Sequence, residues 1–159
     1  AGVLPPIRSR CVSFAIAPVS PADCAHYCTA HGVDKKTAAL YSELFDGHIG
    51  TVLTAARDKA RTEQVDKALE LARAAQAGDS YTAAVLLAPY EKDKAGAAAL
   101  LRDLRAVAAA GLQGSPHAPV QGQQAQRTLR LAEAAIQRLG AQVNPKIVLT
   151  VFAARLAHA

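Results

Sequence analysis

Aromatic side chains are scarce in this sequence, which has no tryptophan, no methionine, four tyrosines and three phenylalanines. A hydrophobic core must therefore be built mainly from smaller side chains. Apolar residues make up 51% of the chain, and most of them are Ala and Leu. Because these two residues lose little rotamer freedom in a helix, the composition predicts an all-α protein with closely approaching helices.

Long apolar runs are also missing, because no stretch of about eighteen or more apolar residues occurs that could span a membrane. The first ten residues contain no apolar core of a signal peptide. The chain has three cysteines, an odd number that does not make a disulfide framework. The sequence therefore predicts a reducing, cytoplasmic setting without a membrane span.

Sequence motifs for nucleotide binding and hydrolysis are absent, including G-x-x-x-x-G-K-[ST], G-x-G-x-x-G, G-x-S-x-G and H-E-x-x-H. We therefore expect no cofactor, no metal and no independent enzymatic activity. Cys24 and Cys28 are four residues apart, with His26 and His31 nearby. Two thiols supply only half of a tetrahedral zinc site, so we interpret both cysteines as core residues.

The first part of the chain predicts one strand and three short helices. Residues 12–16 have β character but no second strand to pair with, which indicates a fragment whose sheet lies elsewhere. Capping and breaking residues then predict helices from Pro21 to about His31, from Asp34 to about Phe45 and from Ile49 to about Arg57.

The rest of the chain predicts five longer helices, over residues 61–76, 79–88, 91–110, 123–140 and 145–157. We expect residues 111–119 to form an exposed loop between two of them. The residues predicted to face the core are Val65, Ala68, Leu69, Ala72, Leu100, Leu101, Leu104, Val107, Leu129, Ala132, Ile136, Leu139, Ile147, Val148, Val151, Phe152 and Leu156.

The net charge of +5 is unevenly distributed. The last third of the chain, residues 101–159, has only two acidic residues, Asp103 and Glu133, and carries the whole basic excess. Such a surface is either a solvated face or a site for phosphates or an acidic neighbour. No aromatic residues alternate with the basic ones, so base stacking is not predicted.

One segment, residues 4–11, reads Leu-Pro-Pro-Ile-Arg-Ser-Arg-Cys. It resembles the L-P-x-x-x-S-R-C pattern that ends the nucleotide-binding domain of clamp-loader subunits of the AAA+ family. This resemblance implies that Arg10 is an arginine finger, with Ser9 and Cys11 as its motif companions. Such an arginine spreads positive charge over a phosphoryl group that is bound to the neighbouring subunit.

Two later segments resemble the same family in the same order. Residues 45–53 look like the start of the last lid helix, where motor subunits carry G-S-x-R. Gly50 stands where the sensor arginine would be, as in the delta-prime class, although close helix packing is another reason for a glycine there. Residues 143–149 and the following Ala154-Arg155-Leu156 resemble the final collar helix.

The resemblance implies a fragment with three parts, namely the tail of an AAA+ domain (1–17), a three-helix lid (18–60) and a five-helix collar (61–159). It implies a non-catalytic role in loading a sliding clamp onto primed DNA, with the gamma/tau and delta subunits as collar partners. We expect an apolar strip on the collar that a partner covers, surrounded by the basic excess. A gamma/tau motor subunit and a free-standing helical DNA-binding or scaffold protein remain alternatives.

Overall fold

The computed structural model describes residue 17 and residues 19–157, and the regular structure of this part of the chain is entirely helical. The α-helices formed there are α1 (Pro21–Ala30), α2 (Lys35–Leu44), α3 (Ile49–Arg57), α4 (Lys59–Ala77), α5 (Ser80–Leu87), α6 (Lys94–Leu112), α7 (Gly122–Gly140) and α8 (Pro145–Ala157). The all-α prediction is confirmed for these residues. The strand predicted for residues 12–16 lies outside them.

Local capping explains why most helices begin where the sequence predicts. The predicted N-caps that form are Ser20, Asp34, Asp79 and Asn144. Each side-chain oxygen accepts a hydrogen bond from a backbone N–H in the first turn, which satisfies a donor that the helix itself cannot. In α5, for example, the Thr82 N–H donates to Asp79 Oδ1 at 3.0 Å.

One helix begins later than predicted. α6 begins at Lys94 rather than Glu91, because Asp93 caps it by accepting a hydrogen bond from the Gly96 N–H at 2.9 Å. The preceding residues Ala88–Tyr90 form a 3₁₀ turn that prolongs α5 and includes Pro89. A proline near the start of such a turn removes no hydrogen bond. Pro89 therefore ends the α-helix, but the chain continues as a 3₁₀ turn.

The helix α4 lies at the centre of the second part of the chain, where it contacts α5, α6, α7 and α8. Its apolar side chains are buried along most of its length, which is the expected consequence of neighbours on several sides. The predicted core residues of α4 and α6 are confirmed, since all of them are buried. The closest helix pair is α6 with α7, whose facing surfaces are rich in alanine.

The first three helices pack against one another around Ala38, Tyr41, Val52 and Ala55, which are all buried. Their last helix, α3, is separated from α4 by Asp58 alone. In addition, α2 contacts α6, and the Ser115 hydroxyl that follows α6 donates a hydrogen bond to the Glu43 carboxylate of α2. The boundary predicted near residues 58–62 stays a prediction.

Two predictions about burial are wrong, one of a buried residue and one of an exposed loop. Ile147 is 59% exposed, because the buried side of α8 carries Val148, Leu149, Phe152 and Leu156 rather than Ile147. Residues 111–119 are not an exposed loop throughout, since Ser115 and Ala118 are buried. Val151, Leu129 and Ile136 are half-buried, so the prediction that they face the core is met only in part.

A glycine allows the segment after α6 to fold back onto that helix. A Cβ atom at Gly111 would lie 1.9 Å from the carbonyl oxygen of Val120, so only glycine fits there. Val120 itself is fully buried, and the N–H of the next residue, Gln121, donates to Gln76 Oε1 on α4 at 2.9 Å. This close approach buries part of the connection that its polar, Gly- and Pro-rich sequence predicts to be exposed.

Within the described part of the chain, no helix combines the length and the apolar character needed to cross a membrane.

Candidate functional site

The predicted arginine finger cannot be placed. Ser9, Arg10 and Cys11 lie outside the described residues. Their roles stay predictions that follow from the sequence resemblance alone.

Gly50, where the resemblance predicts the place of a sensor arginine, lies within the described residues. Gly50 is the second residue of α3 and is exposed, and a Cβ atom built on it would have no neighbour within 4 Å among the described residues. Close helix packing therefore does not explain this glycine, and that interpretation is wrong. A shallow recess of about 350 Å³ lies beside it, lined by Ala17, Val19 and residues 47–51. A longer side chain would fit at this position, but the sequence supplies none.

The two cysteines of α1 are core residues. Cys24 and Cys28 are fully buried, whereas His26 is exposed on the other side of the helix. Burial raises the pKa of the Cys28 thiol, and the neighbouring Cys24 raises it further. A neutral, buried thiol is a poor nucleophile and a poor metal ligand. In residue 17 and residues 19–157 no group of three His, Cys, Asp or Glu side chains could hold a metal ion.

The most prominent surface feature is an apolar helix face that no part of the described chain covers. Tyr81 is 78% exposed and Val85 is 53% exposed, and both lie on the same side of α5 as the exposed Ala84 and Ala88. The spacing of these four residues is i, i+3, i+4 and i+7, which is one face of a helix. The opposite face of α5, with Ala83 and Leu87, is buried.

The helix α8 continues this apolar face. A groove of about 360 Å³ runs between α5 and α8. The buried residues Leu87, Leu149 and Ala153 line it at depth, and the exposed Ala84 and Ala154 line its rim. Small side chains on a rim allow another helix to approach closely. We call this surface the α5/α8 face and define it by the groove together with Tyr81, Val85 and Ile147.

Charged groups are found only at one end of the α5/α8 face. Glu91 lines the groove there and forms an ion pair with Lys146, whose Nζ lies 3.4 Å from Glu91 Oε2. Among the described residues, no Lys or Arg lines the groove itself. The expectation that the basic excess surrounds the apolar strip stays a prediction, since Lys146 lies at one end of the face whereas Arg127 and Arg130 line a separate recess.

The sequence predicts an apolar strip in this half of the chain but does not locate it. The helix α5 reads Ser-Tyr-Thr-Ala-Ala-Val-Leu-Leu and is apolar on nearly all sides, so its pattern does not distinguish a buried face from an exposed one. A contiguous exposed apolar surface often marks an interaction site, whereas a single exposed apolar residue is common and needs no explanation. Its position follows only from the packing of α5 against α8.

Comparison with known proteins finds no matching family model, no similar curated protein and no similar solved structure.

Proposed function

We propose that this chain is a non-catalytic subunit of a bacterial clamp loader, of the delta-prime type found in DNA polymerase III. In this proposal α1–α3 are the lid and α4–α8 are the collar. The assembled ring loads the sliding clamp onto primed DNA with energy from ATP. The gamma/tau and delta subunits are the partners of the collar.

The α5/α8 face is the observation that supports the proposal most directly. A ring subunit needs an apolar surface that its neighbour covers, and this face lies within the proposed collar. Its exposed residues Tyr81, Val85 and Ile147 bracket a groove with small residues on its rim. Aromatic and aliphatic groups around a helix-sized groove are typical of interfaces between helical subunits.

Arg10 has the catalytic role in this proposal, and it acts in trans. The neighbouring motor subunit binds ATP, and the Arg10 guanidinium donates hydrogen bonds to the γ-phosphate as negative charge redistributes in the transition state. The sequence of this chain contains no phosphate-binding loop of its own. The resemblance of residues 4–11 to the family is the support for this role.

The absence of a sensor arginine favours a delta-prime subunit over a gamma/tau motor. Gly50 lies in the first turn of α3, beside a recess in which an arginine side chain would have room among the described residues. A glycine at this position provides no positive charge for a nucleotide bound to the same subunit. The proposed subunit therefore does not hydrolyse ATP.

Reconstitution tests the proposal. The full-length protein is mixed with the delta and gamma/tau subunits of its own organism, and the mixture is examined by size-exclusion chromatography and by ATPase assay with clamp and primed DNA. We expect a stable complex whose ATPase rate depends on the added protein. Failure to co-elute would contradict the proposal, and ATP hydrolysis by the protein alone would favour a motor subunit instead.

A further inference from the structure

The first half of α7 carries a concave, positively charged surface that the proposed ring function does not use. Arg127 and Arg130 line a recess of about 420 Å³ there. Three amide side chains, those of Gln123, Gln124 and Gln126, also line it, and Leu131 is the only apolar lining residue in the part of the chain that the structure describes. We call this surface the α7 recess.

The backbone of a third arginine, Arg155, lies beside Arg127 of the α7 recess. Arg127 Nη2 donates a hydrogen bond to the backbone carbonyl of Arg155 at 2.6 Å, which brings the last turn of α8 beside α7. This contact also explains the position of Arg127, because a guanidinium is favourable at the negative end of a helix. The side chains of Arg130 and Arg155 are exposed and have no such carbonyl contact among the described residues.

These arginines are not neutralised by neighbouring carboxylates. Among the described residues, ion pairs form between Arg61 and Asp103 and between Lys146 and Glu91, but none involves Arg127, Arg130 or Arg155. The only acidic residue of α7 is Glu133, and it makes no ion pair with them. The positive charge of the α7 recess is therefore available to an anionic ligand.

We propose that the α7 recess binds the phosphate backbone of a nucleic acid without sequence preference. Guanidinium groups donate forked hydrogen bonds to phosphate oxygens, and amide side chains add neutral donors. The core of a protein interface is richer in apolar and aromatic groups than this lining. No aromatic residue in residue 17 or residues 19–157 lines the recess, so these residues do not stack on bases and their affinity comes from contacts with the backbone.

The experiment measures the fluorescence anisotropy of a labelled mixed-sequence DNA duplex as the purified chain is added, over a range of salt concentrations. The test variant is the double substitution Arg130→Gln and Arg155→Gln, which keeps Arg127 and its contact with α8. The control variant is Lys35→Gln with Lys36→Gln, which removes the same charge from exposed positions on α2. Circular dichroism checks that both variants remain folded.

We expect the chain to bind the duplex at low salt and the test variant to bind more weakly, with the control close to wild type. The slope of log affinity against log salt should become shallower by about 1 for each arginine removed. Three results would overturn the proposal. They are no binding at low salt, an equal loss in the control variant, and full displacement of the duplex by polyglutamate at equal charge concentration. The assay uses the chain without ring subunits, so its outcome is independent of the clamp-loader proposal.

Discussion

Arg61 of α4 and Asp103 of α6 form a bidentate ion pair at the junction between α2, α4 and α6. Arg61 Nη2 lies 2.6 Å from Asp103 Oδ1, and Nη1 contacts the other carboxylate oxygen. Gln64 Nε2 donates to Asp103 Oδ2 at 2.7 Å. The guanidinium also lies 5.6 Å from the centre of the Phe45 ring. Asp103 is 7% exposed, so this acidic residue is buried and fully partnered.

Replacing Asp103 by alanine should therefore destabilise the fold. The change leaves Arg61 and Gln64 without their acceptor in a half-buried environment. We expect a loss of about 2–3 kcal/mol in the free energy of unfolding, below the full cost for a completely buried pair because Arg61 keeps some solvent contact. Urea denaturation measures it, with Arg105→Ala, an exposed arginine on the same helix, as the control. Equal stability of the two variants would contradict a structural role for the pair.

Two helical glycines should respond in opposite ways to alanine. At Gly111 the added Cβ would overlap the Val120 carbonyl, so Gly111→Ala should cost about 1–3 kcal/mol. At Gly50 the Cβ meets nothing, so Gly50→Ala should be neutral or stabilise by up to about 1 kcal/mol. Thermal unfolding of the two variants measures both effects. A loss of stability in Gly50→Ala would show that this glycine has a packing role after all.

Charge on the α5/α8 face should prevent association without unfolding the chain. Val85 is 53% exposed, so Val85→Asp places a carboxylate in solvent in the free subunit but in an apolar interface in the complex. We expect association with the partner subunits to fall at least tenfold, as measured by size-exclusion chromatography of the mixture. The control is Leu112→Asp, which changes an apolar residue that is 46% exposed at the end of α6, outside the α5/α8 face. Unimpaired association of Val85→Asp would remove this face from the interface.

Arg10 should matter for the activity of the ring and not for the stability of the chain. In the full-length protein, Arg10→Ala should lower the ATPase rate of the reconstituted ring by about 10³-fold or more at the affected site, since arginine fingers contribute that much to phosphoryl transfer. Arg8→Ala in the same segment is the matched control. An unchanged rate per active site in Arg10→Ala would end the arginine-finger assignment.

The cap of α5 should make a pH-dependent contribution to stability. The Thr82 hydroxyl and N–H donate to Asp79 and hold the pKa of its carboxyl below the ordinary value for an aspartate. A lowered folded-state pKa means that the stabilisation is present above the unfolded pKa and is lost as the pH falls through the folded pKa. Asp79→Asn keeps an N-cap acceptor but removes this titration. The stability difference between wild type and Asp79→Asn should therefore shrink in acid, and a difference that is constant with pH would contradict this.

The helix ends could be predicted because capping is a local interaction. Each predicted N-cap contacts a backbone N–H group within three residues, so its role can be inferred from the neighbouring residues in the sequence. These N-caps are Ser20, Asp34, Asp79 and Asn144. The same holds for the core side of α4 and α6, whose apolar residues repeat with helical spacing. The late start of α6 was missed because both Glu91 and Asp93 are polar residues that can precede a helix.

The candidate surfaces could not be predicted to the same extent. Ile147 and Val148 are adjacent apolar residues, and only the packing of α8 against its neighbouring helices decides that the second is buried and the first exposed. Arg127 and Arg155 are distant in the sequence, and only the antiparallel packing of helices brings them together. The roles of Ser9, Arg10 and Cys11 stay predictions, since those residues lie outside the described part of the chain.

The sequence by itself determined the all-α class, the helix ends and the apolar stripes, because these depend on side-chain entropy and on hydrogen bonds between near neighbours. Only the tertiary structure decided which apolar residues remain uncovered, which arginines lack a carboxylate and where glycine is required for space. Those properties depend on which helices pack together. The distances between residues that are far apart in the sequence are set by this packing rather than by local propensity.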